Sequence, residues 1–289
     1  MQQEILVTGA TGNIGSILVP QLAGLNGVSV RALTRDPANA REFAECGAQI
    51  AAGRFDDEAS LVAAADGVDT LILIVPPSAE CVAHNRNIIS AAKKAGVRKI
   101  VRVSAIKAAE DGPTENTRLH GECDRLLQES GLAYTILRPN YFMQNIFMSL
   151  ESINADNVFY AGTGDGRLAM IDVRDVVDCA VAAATSTDFD NQALEIGGPE
   201  SISFSDVAAT ISEVVSRQVA YVGISPEDLE GALLQMGFDA WTAGLLREYS
   251  TVYGQGWGDL VTDGVQRLTG KPARSFRQFA AEVLAPALA

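Results

Sequence analysis

Along the first half of the chain, short continuous apolar runs alternate with stretches in which apolar residues recur at helical spacing. A run beginning at Ile5 leads into a glycine-rich turn, VTGATGNIG (Val7 to Gly15). Ile14, Ile17, Leu18, Leu22 and Leu25 then predict a helix with one apolar face, kinked at Pro20 where a backbone donor is missing. Residues 27–33 (GVSVRAL) read as a strand, 37–46 as helical and 48–52 as a short strand. Asp56 is a candidate cap for a helix through Ala65. TLILIV, after Asp69, is the kind of unbroken apolar run that a parallel sheet buries on both faces. A helix over 79–95 stops at Gly96, followed by the strand VRKIVRVSA, a helix over 118–130 stopped by Gly131, and the strand AYTILRP. This alternation predicts an α/β fold, a doubly wound parallel sheet with right-handed crossovers.

From Asn140 onward the pattern loosens. NVFYAGTGDGRLAMIDV reads as a strand, a glycine turn and a second strand. Residues 174–185 are helical, 193–198 a strand, and 205–216 a helix with Ser203 or Ser205 as its cap. A strand near 219–222 precedes mostly helical sequence, clearest at 225–236 and 239–253. The pattern predicts a dinucleotide-binding domain over 1–150, to which 168–190 returns, and a smaller, mostly helical lobe over 191–289. With no flexible linker between them, the lobes are expected to leave a cleft beyond the carboxyl ends of the strands.

Gly9, Gly12 and Gly15 are spaced G-x-x-G-x-x-G between a strand and a helix. That spacing lets the backbone of Thr11, Asn13 and Ile14 approach a pyrophosphate and aims helix N–H groups at its charge. In such a Rossmann unit, the charge at the end of the second strand selects the dinucleotide. Arg35 stands there, and a planar, permanently charged guanidinium suits a 2′-phosphate, so the expected cofactor is NADP(H). Asp36, just before Pro37, is expected to turn away; the alternative is a solvated Arg35–Asp36 pair.

Composition narrows the remaining classes. Of 289 residues, 47% are hydrophobic and 20% charged, enough for a packed core. A formal charge of −14 disfavours nucleic acid and anionic membrane as partners. Cys46, Cys81, Cys123 and Cys179 form no C-x-x-C pair, and His84 and His120 join no ligand cluster, so no metal is expected. No leader or membrane-length apolar run is visible, which points to a cytoplasmic protein with reduced thiols. G-x-S-x-G and P-loop motifs are absent.

TGATGNIG, ALTRDP, SGLAYTILRPNYFMQN and GDGRLAMIDVRDV together resemble the NmrA-like branch of the atypical short-chain dehydrogenases, over nearly the whole chain including KPARSFRQFAAE. That branch holds NADPH-dependent reductases of quinones, dyes and azo compounds, and fungal cofactor-sensing regulators. The resemblance puts the glycine motif on Gly9, Gly12 and Gly15, the phosphate-binding arginine on Arg35 and an adenine-side position on Asp56. It also implies cofactor contacts at Val75, Pro76, Asn140 and Tyr141, and substrate contacts at Phe142, Met143 and Asn145. Tyr141, Phe142 and Met143 have packing beneath the cleft as their alternative. Phe238 and Trp241, with Leu245 and Leu246, would face the nicotinamide or pack their own lobe.

Most short-chain dehydrogenases carry a Tyr-x-x-x-Lys pair; the matching positions here are Asn116 and His120. His120 is the candidate catalytic residue, bonding a cofactor hydroxyl or protonating a reduced acceptor. Without the phenol and ammonium, ordinary alcohol–ketone chemistry is weakened. The implied partner is a small-molecule electron acceptor that takes hydride easily: a quinone, dye, imine or iminium. The competing expectation is a non-catalytic NADP(H)-binding redox sensor acting through a protein partner. The sequence leaves the oligomeric state open.

Overall fold

The apolar run at Ile5 forms β1 (Gln3–Val7), from which the chain enters α1 (Gly15–Ala23) and then β2 (Val28–Thr34) in the computed structural model, which describes residues 2–288, the side chain of residue 39 excepted. A 3-10 turn (Pro37–Ala40) and α2 (Arg41–Glu45) lead to β3 (Gln49–Ala52), α3 (Glu58–Ala65) and β4 (Thr70–Leu73). The alternation continues through α4 (Cys81–Ala95), β5 (Lys99–Val103), α5 (Glu115–Gln128) and β6 (Ala133–Pro139). Beyond it come a 3-10 segment (Met143–Ser149), α6 (Leu150–Asp156), β7 (Val158–Ala161), β8 (Arg167–Leu168), α7 (Val173–Thr185) and β9 (Gln192–Ile196). The chain continues with β10 (Ile202–Ser203), α8 (Phe204–Val215), β11 (Ala220–Gly223), α9 (Pro226–Gln235) and α10 (Ala240–Gly254), and closes in short helical pieces from Gly264.

Seven strands form one sheet in the order β3-β2-β1-β4-β5-β6-β9, and each pair from β3 to β6 is parallel. The order reverses between β1 and β4, the switch point at which doubly wound sheets bind ligands. The α/β, doubly wound expectation holds. The chain divides into two compact units. The first comprises Met1–Asp111, Thr117–Arg138 and Val176–Leu194; the second comprises Gly112–Asn116, Pro139–Asp175 and Glu195–Ala289.

In the first unit, the sheet and the helices α3, α4 and α5 close over a core that includes Leu6, Leu61, Leu71, Ile88, Ile100, Leu127 and Ile136. In α1, Leu18 and Leu22 are fully buried, but Ile17 is 39% exposed and Leu25 lies past the helix end. The apolar face is therefore narrower than its spacing suggested. The cap of α3 also moves: Asp57, not Asp56, accepts from the Ser60 backbone N–H, and Asp57 holds the extended backbone immediately before the first turn. Asp56 pairs instead with Arg54 at 2.8 Å on the surface.

In the second unit, Phe159, Met170, Phe204, Ile211, Phe276 and Phe279 form a separate core. The strands expected on either side of the glycine turn are both present as β7 and β8, yet each pairs elsewhere, β7 with β11 and β8 with β10. Ser203 caps α8 through a capping box with Asp206, while Ser225 and Asp239 cap α9 and α10.

Two helical glycines face opposite surroundings. A Cβ on Gly121 of α5 would overlap the backbone of Ala109 and Glu110, whereas one on Gly231 of α9 meets nothing within 4 Å. Gly121→Ala should destabilise the protein by about 1–3 kcal/mol through overpacking. Gly231→Ala should stabilise it by about 0.5–1 kcal/mol, because alanine holds helix better. Urea denaturation of both variants checks the two signs.

Candidate functional site

The glycine turn gives each of its glycines a separate task. Gly9 has φ +61°, and a Cβ there would lie 2.9 Å from Ile74 O, so the turn admits no side chain. Thr8 locks the same corner: its hydroxyl donates to Ile74 O at 2.9 Å and accepts from Ile74 N at 2.8 Å, joining the ends of β1 and β4. Gly15 starts α1 against Gly9 and Ala10, whose backbone a Cβ would overlap. Gly12 differs, because it is exposed and a Cβ there would approach only Gly9 O, at 3.3 Å. Thr11 and Asn13 are exposed beside it, while Ile14 turns into the core. No side chain caps the start of α1; the Ser16 and Ile17 N–H groups bond Gly12 O and Ile14 O, and the N–H groups just before them are left for an anion.

At the end of β2, Arg35 is exposed, and no hydrogen bond or ion pair engages its guanidinium among the described residues. Asp36 is turned away: its carboxylate accepts from Ala38 N at 2.9 Å and caps the turn at Pro37. An open glycine corner, an uncapped helix start and an unpaired guanidinium at the second strand fit a dinucleotide carrying a 2′-phosphate. Beyond β4, Val75 is half-buried and Pro76 exposed.

The same unit buries an ionic network that the sequence reading missed. Arg102 lies in β5, every residue of which is buried. Its Nε donates to Asn85 Oδ1 of α4 at 3.0 Å, one terminal nitrogen pairs with Asp124 of α5, and the other lies 3.1 Å from His120 Nδ1. Arg138 of β6 holds the second Asp124 oxygen at 2.9 Å. An arginine inside an otherwise apolar strand was the available signal, since a buried guanidinium requires partners.

His120 is buried by this network, and burial, then the Arg102 charge, hold its pKa well below the ordinary 6.5. Arg102 has only donors to offer, so Nδ1 accepts and the imidazole is neutral with its proton on Nε2. Of the two roles expected of His120, bonding a cofactor hydroxyl or protonating a reduced acceptor, the neutral ring fits the first.

In the second unit, the segment after β6 is only partly open. Asn140 is buried, donating to Gly258 O at 3.0 Å and accepting from Tyr141 N at 2.8 Å, so its amide ties backbone together. Met143 is 2% exposed and belongs to the core, which withdraws it as a substrate contact. Phe142 and Asn145 are half-buried, and Asn145 hydrogen-bonds the Tyr141 hydroxyl, whose pKa burial pushes up to about 12. Tyr141 meets Tyr253 edge-on at 5.7 Å, and Tyr253 stacks on Tyr249 at 5.4 Å. The Tyr249 hydroxyl accepts from Asn116 Nδ2 in the first turn of α5. Trp241 donates from Nε1 to Glu115 at 3.0 Å, and Phe238 is half-buried. Among the described residues, no group of His, Cys, Asp and Glu could hold a metal ion.

Substitutions in the turn should separate binding from folding. Gly12→Val should fold normally yet lose binding of NADPH in calorimetry, because the side chain fills the anion's approach. Gly15→Val should unfold at markedly lower temperature, because its clash is with backbone. The His120 assignment carries a pH signature. With the folded pKa below the unfolded 6.5, the unfolded chain binds more protons between the two values. This contribution is therefore intact above about pH 6.5 and is lost as pH falls. Between pH 7.5 and 5.5 it should cost about 1 kcal/mol, and His120→Asn should remove that part of the slope in urea titrations.

A family model described as NAD(P)H-binding matches residues 9–187. The NAD(P)H azoreductase of Xenophilus azovorans is 38% identical over 276 residues, covering 96% of each chain. The structure of an NADPH-dependent quinone oxidoreductase from Escherichia coli, in complex with NADPH, superposes with a TM-score of 0.88 at 26% identity, covering 97% of this chain and 99% of that one. The triphenylmethane reductase of Citrobacter sp. with NADP(H) shares the fold, with a TM-score of 0.84 at 22% identity over 97% of this chain and 99% of that one. With the glycine turn and its surroundings in place, the chain belongs to the NAD(P)H-binding family.

Proposed function

We propose that this protein is an NADPH-dependent reductase that passes hydride to an electron-poor small molecule, with quinones and azo or triphenylmethane dyes as the substrate class. The observation that carries the reading is Arg35, exposed and unengaged beyond β2 while Asp36 is occupied with Ala38 N. The azoreductase and quinone reductase relatives support the reaction class, and the sensor alternative has less support.

The backbone of Thr11, Gly12, Asn13 and Ile14 would hold the pyrophosphate at the start of α1, with Gly9 and Gly15 shaping the turn. Arg35 would hold the 2′-phosphate, and Val75, Pro76 and the exposed Asp56 would border the adenine and nicotinamide ends. The bound dinucleotide supplies the hydride. His120 would donate from Nε2 to a cofactor hydroxyl, with its ring fixed by Arg102. Phe142, Phe238 and Trp241 are the proposed apolar contacts for the acceptor. Asn116 and His120 stand where related enzymes carry tyrosine and lysine, so the chemistry should favour acceptors that need no strong acid. Cysteines outside any disulfide at Cys46, Cys81 and Cys123 support a reducing compartment such as the cytoplasm, and no helix among the described residues is long and apolar enough to cross a membrane.

The purified protein should oxidise NADPH in the presence of 1,4-naphthoquinone, an azo dye or crystal violet, without added metal or flavin. Arg35→Ala should weaken NADPH by about 1.5–3 kcal/mol, the worth of a charged hydrogen bond, and leave NADH nearly unchanged. Equal use of NADH and NADPH by the unmodified protein would overturn the assignment of Arg35. Tight NADPH binding with no acceptor reduced would transfer support to the sensor.

A further inference from the structure

The first turn of α5 and the middle of α10 meet in a polar pair that the fold does not use up. Asn116 is 4% exposed, and its Nδ2 donates to the Tyr249 hydroxyl. Its Oδ1 has no hydrogen-bond partner among the described residues, a costly condition for a buried acceptor. The phenol receives that bond and keeps its own proton, for which no acceptor is present among the described residues. In this orientation the pair keeps the Asn116 Oδ1 as an unused acceptor and the Tyr249 hydroxyl proton as an unused donor.

The pair is held in place on both sides. Glu115 accepts from Trp241 Nε1 at 3.0 Å and its backbone N–H donates to Glu248 at 2.6 Å, fastening α10 to the start of α5. The Tyr249 ring stacks on Tyr253 at 5.4 Å with planes 10° apart, and Tyr253 packs edge-on against Tyr141. Asn116 also stands one helical turn before His120, at the position where a proton-donating tyrosine is expected and missing.

We propose that Tyr249, positioned by Asn116, is a catalytic residue that donates a hydrogen bond from its phenol to the acceptor atom on which negative charge develops. The inference rests on the reductase reading given above. A quinone that gains a hydride becomes a hydroquinone monoanion; NADPH leaves as NADP⁺, and water supplies the remaining proton. Tyr249 stabilises the oxygen while that charge forms and keeps its own proton. Burial pushes the Tyr249 pKa up to about 12, which suits a donor that remains protonated throughout. A cationic triphenylmethane dye takes hydride at carbon and loses its positive charge, so no oxyanion forms and the phenol has nothing to stabilise.

That contrast is the test. Tyr249→Phe keeps the stacked ring and should lower kcat for 1,4-naphthoquinone about 10–100-fold, while crystal violet turnover stays within about twofold. NADPH affinity, read by fluorescence titration, should not change. An independent arm needs no turnover: 2-naphthoate binding to the NADP⁺ complex, measured by calorimetry, should weaken about tenfold in Tyr249→Phe. Asn116→Ala should show the same selective pattern more weakly. Equal loss with both acceptors together with weaker NADPH binding would assign the pair to the cofactor and overturn the inference. Unchanged quinone turnover and naphthoate binding would overturn it as well, leaving the reductase reading intact. Failure of the unmodified protein to reduce either acceptor would remove both.

Discussion

The Arg102 guanidinium is a full charge in a strand that water does not reach, and the first unit is built around satisfying it. Stranding such an ion without a partner costs about 3–5 kcal/mol, a large share of a domain's stability. Asn85 from α4 and Asp124 and His120 from α5 each meet a different nitrogen of the same planar group. A guanidinium fork has fixed directions, so α5 is not free to rotate about its axis without leaving one nitrogen unmet. Hydrophobic packing alone would tolerate small rotations of a helix on a sheet. The fork removes that freedom for the part of α5 that lies in the first unit, from Thr117 onward.

One consequence for chemistry is that His120 is fixed as a neutral ring whose outer nitrogen carries the proton, because its inner nitrogen faces a group that only donates. A lysine at this position would set a second cation against Arg102, so the imidazole is the compatible choice here. The start of the helix belongs to the second unit and is held there by contacts of its own. Glu115 takes bonds from Trp241 and gives one to Glu248, and Asn116 is brought against Tyr249. Side chains distant in sequence from α5 thus bring a phenol to its first turn.

What the sequence revealed follows from the range of the interactions involved. The bounds of β6 and the stop at Gly96, where φ is +79°, depend on residues close together and were legible from spacing. So was the glycine turn, whose geometry follows from three local positions. Asp56 and Asp57 could not be told apart, because both are good caps and only the backbone angle selects one. Ile17 fits helical spacing, but the groove over the sheet is narrower than the stripe. The Arg102 network and the pairing of Asn116 with Tyr249, 133 residues apart, are long-range contacts that one sequence does not encode in any visible pattern. Only the anomaly of an arginine in a buried strand hinted at the first.

Charge poses a final question, because a phosphate-rich cofactor must approach a chain with a formal charge of −14. The general field opposes it but acts through solvent, where interactions fade over a Debye length of about 8 Å at physiological salt. The local terms act at contact. Most arginines of the chain are engaged: Arg54, Arg98, Arg102, Arg125, Arg174 and Arg274 each hold a carboxylate. Arg35 does not, and its neighbouring acid is diverted into the turn. A guanidinium with no internal partner has nothing to give up when a phosphate arrives, so nearly the whole charged hydrogen bond is available to binding. An arginine already paired would first have to break its own bridge, and the net gain would shrink toward the small worth of a surface pair. In an acidic protein, a 2′-phosphate is therefore met less by total charge than by an arginine left unengaged, as Arg35 is among the described residues.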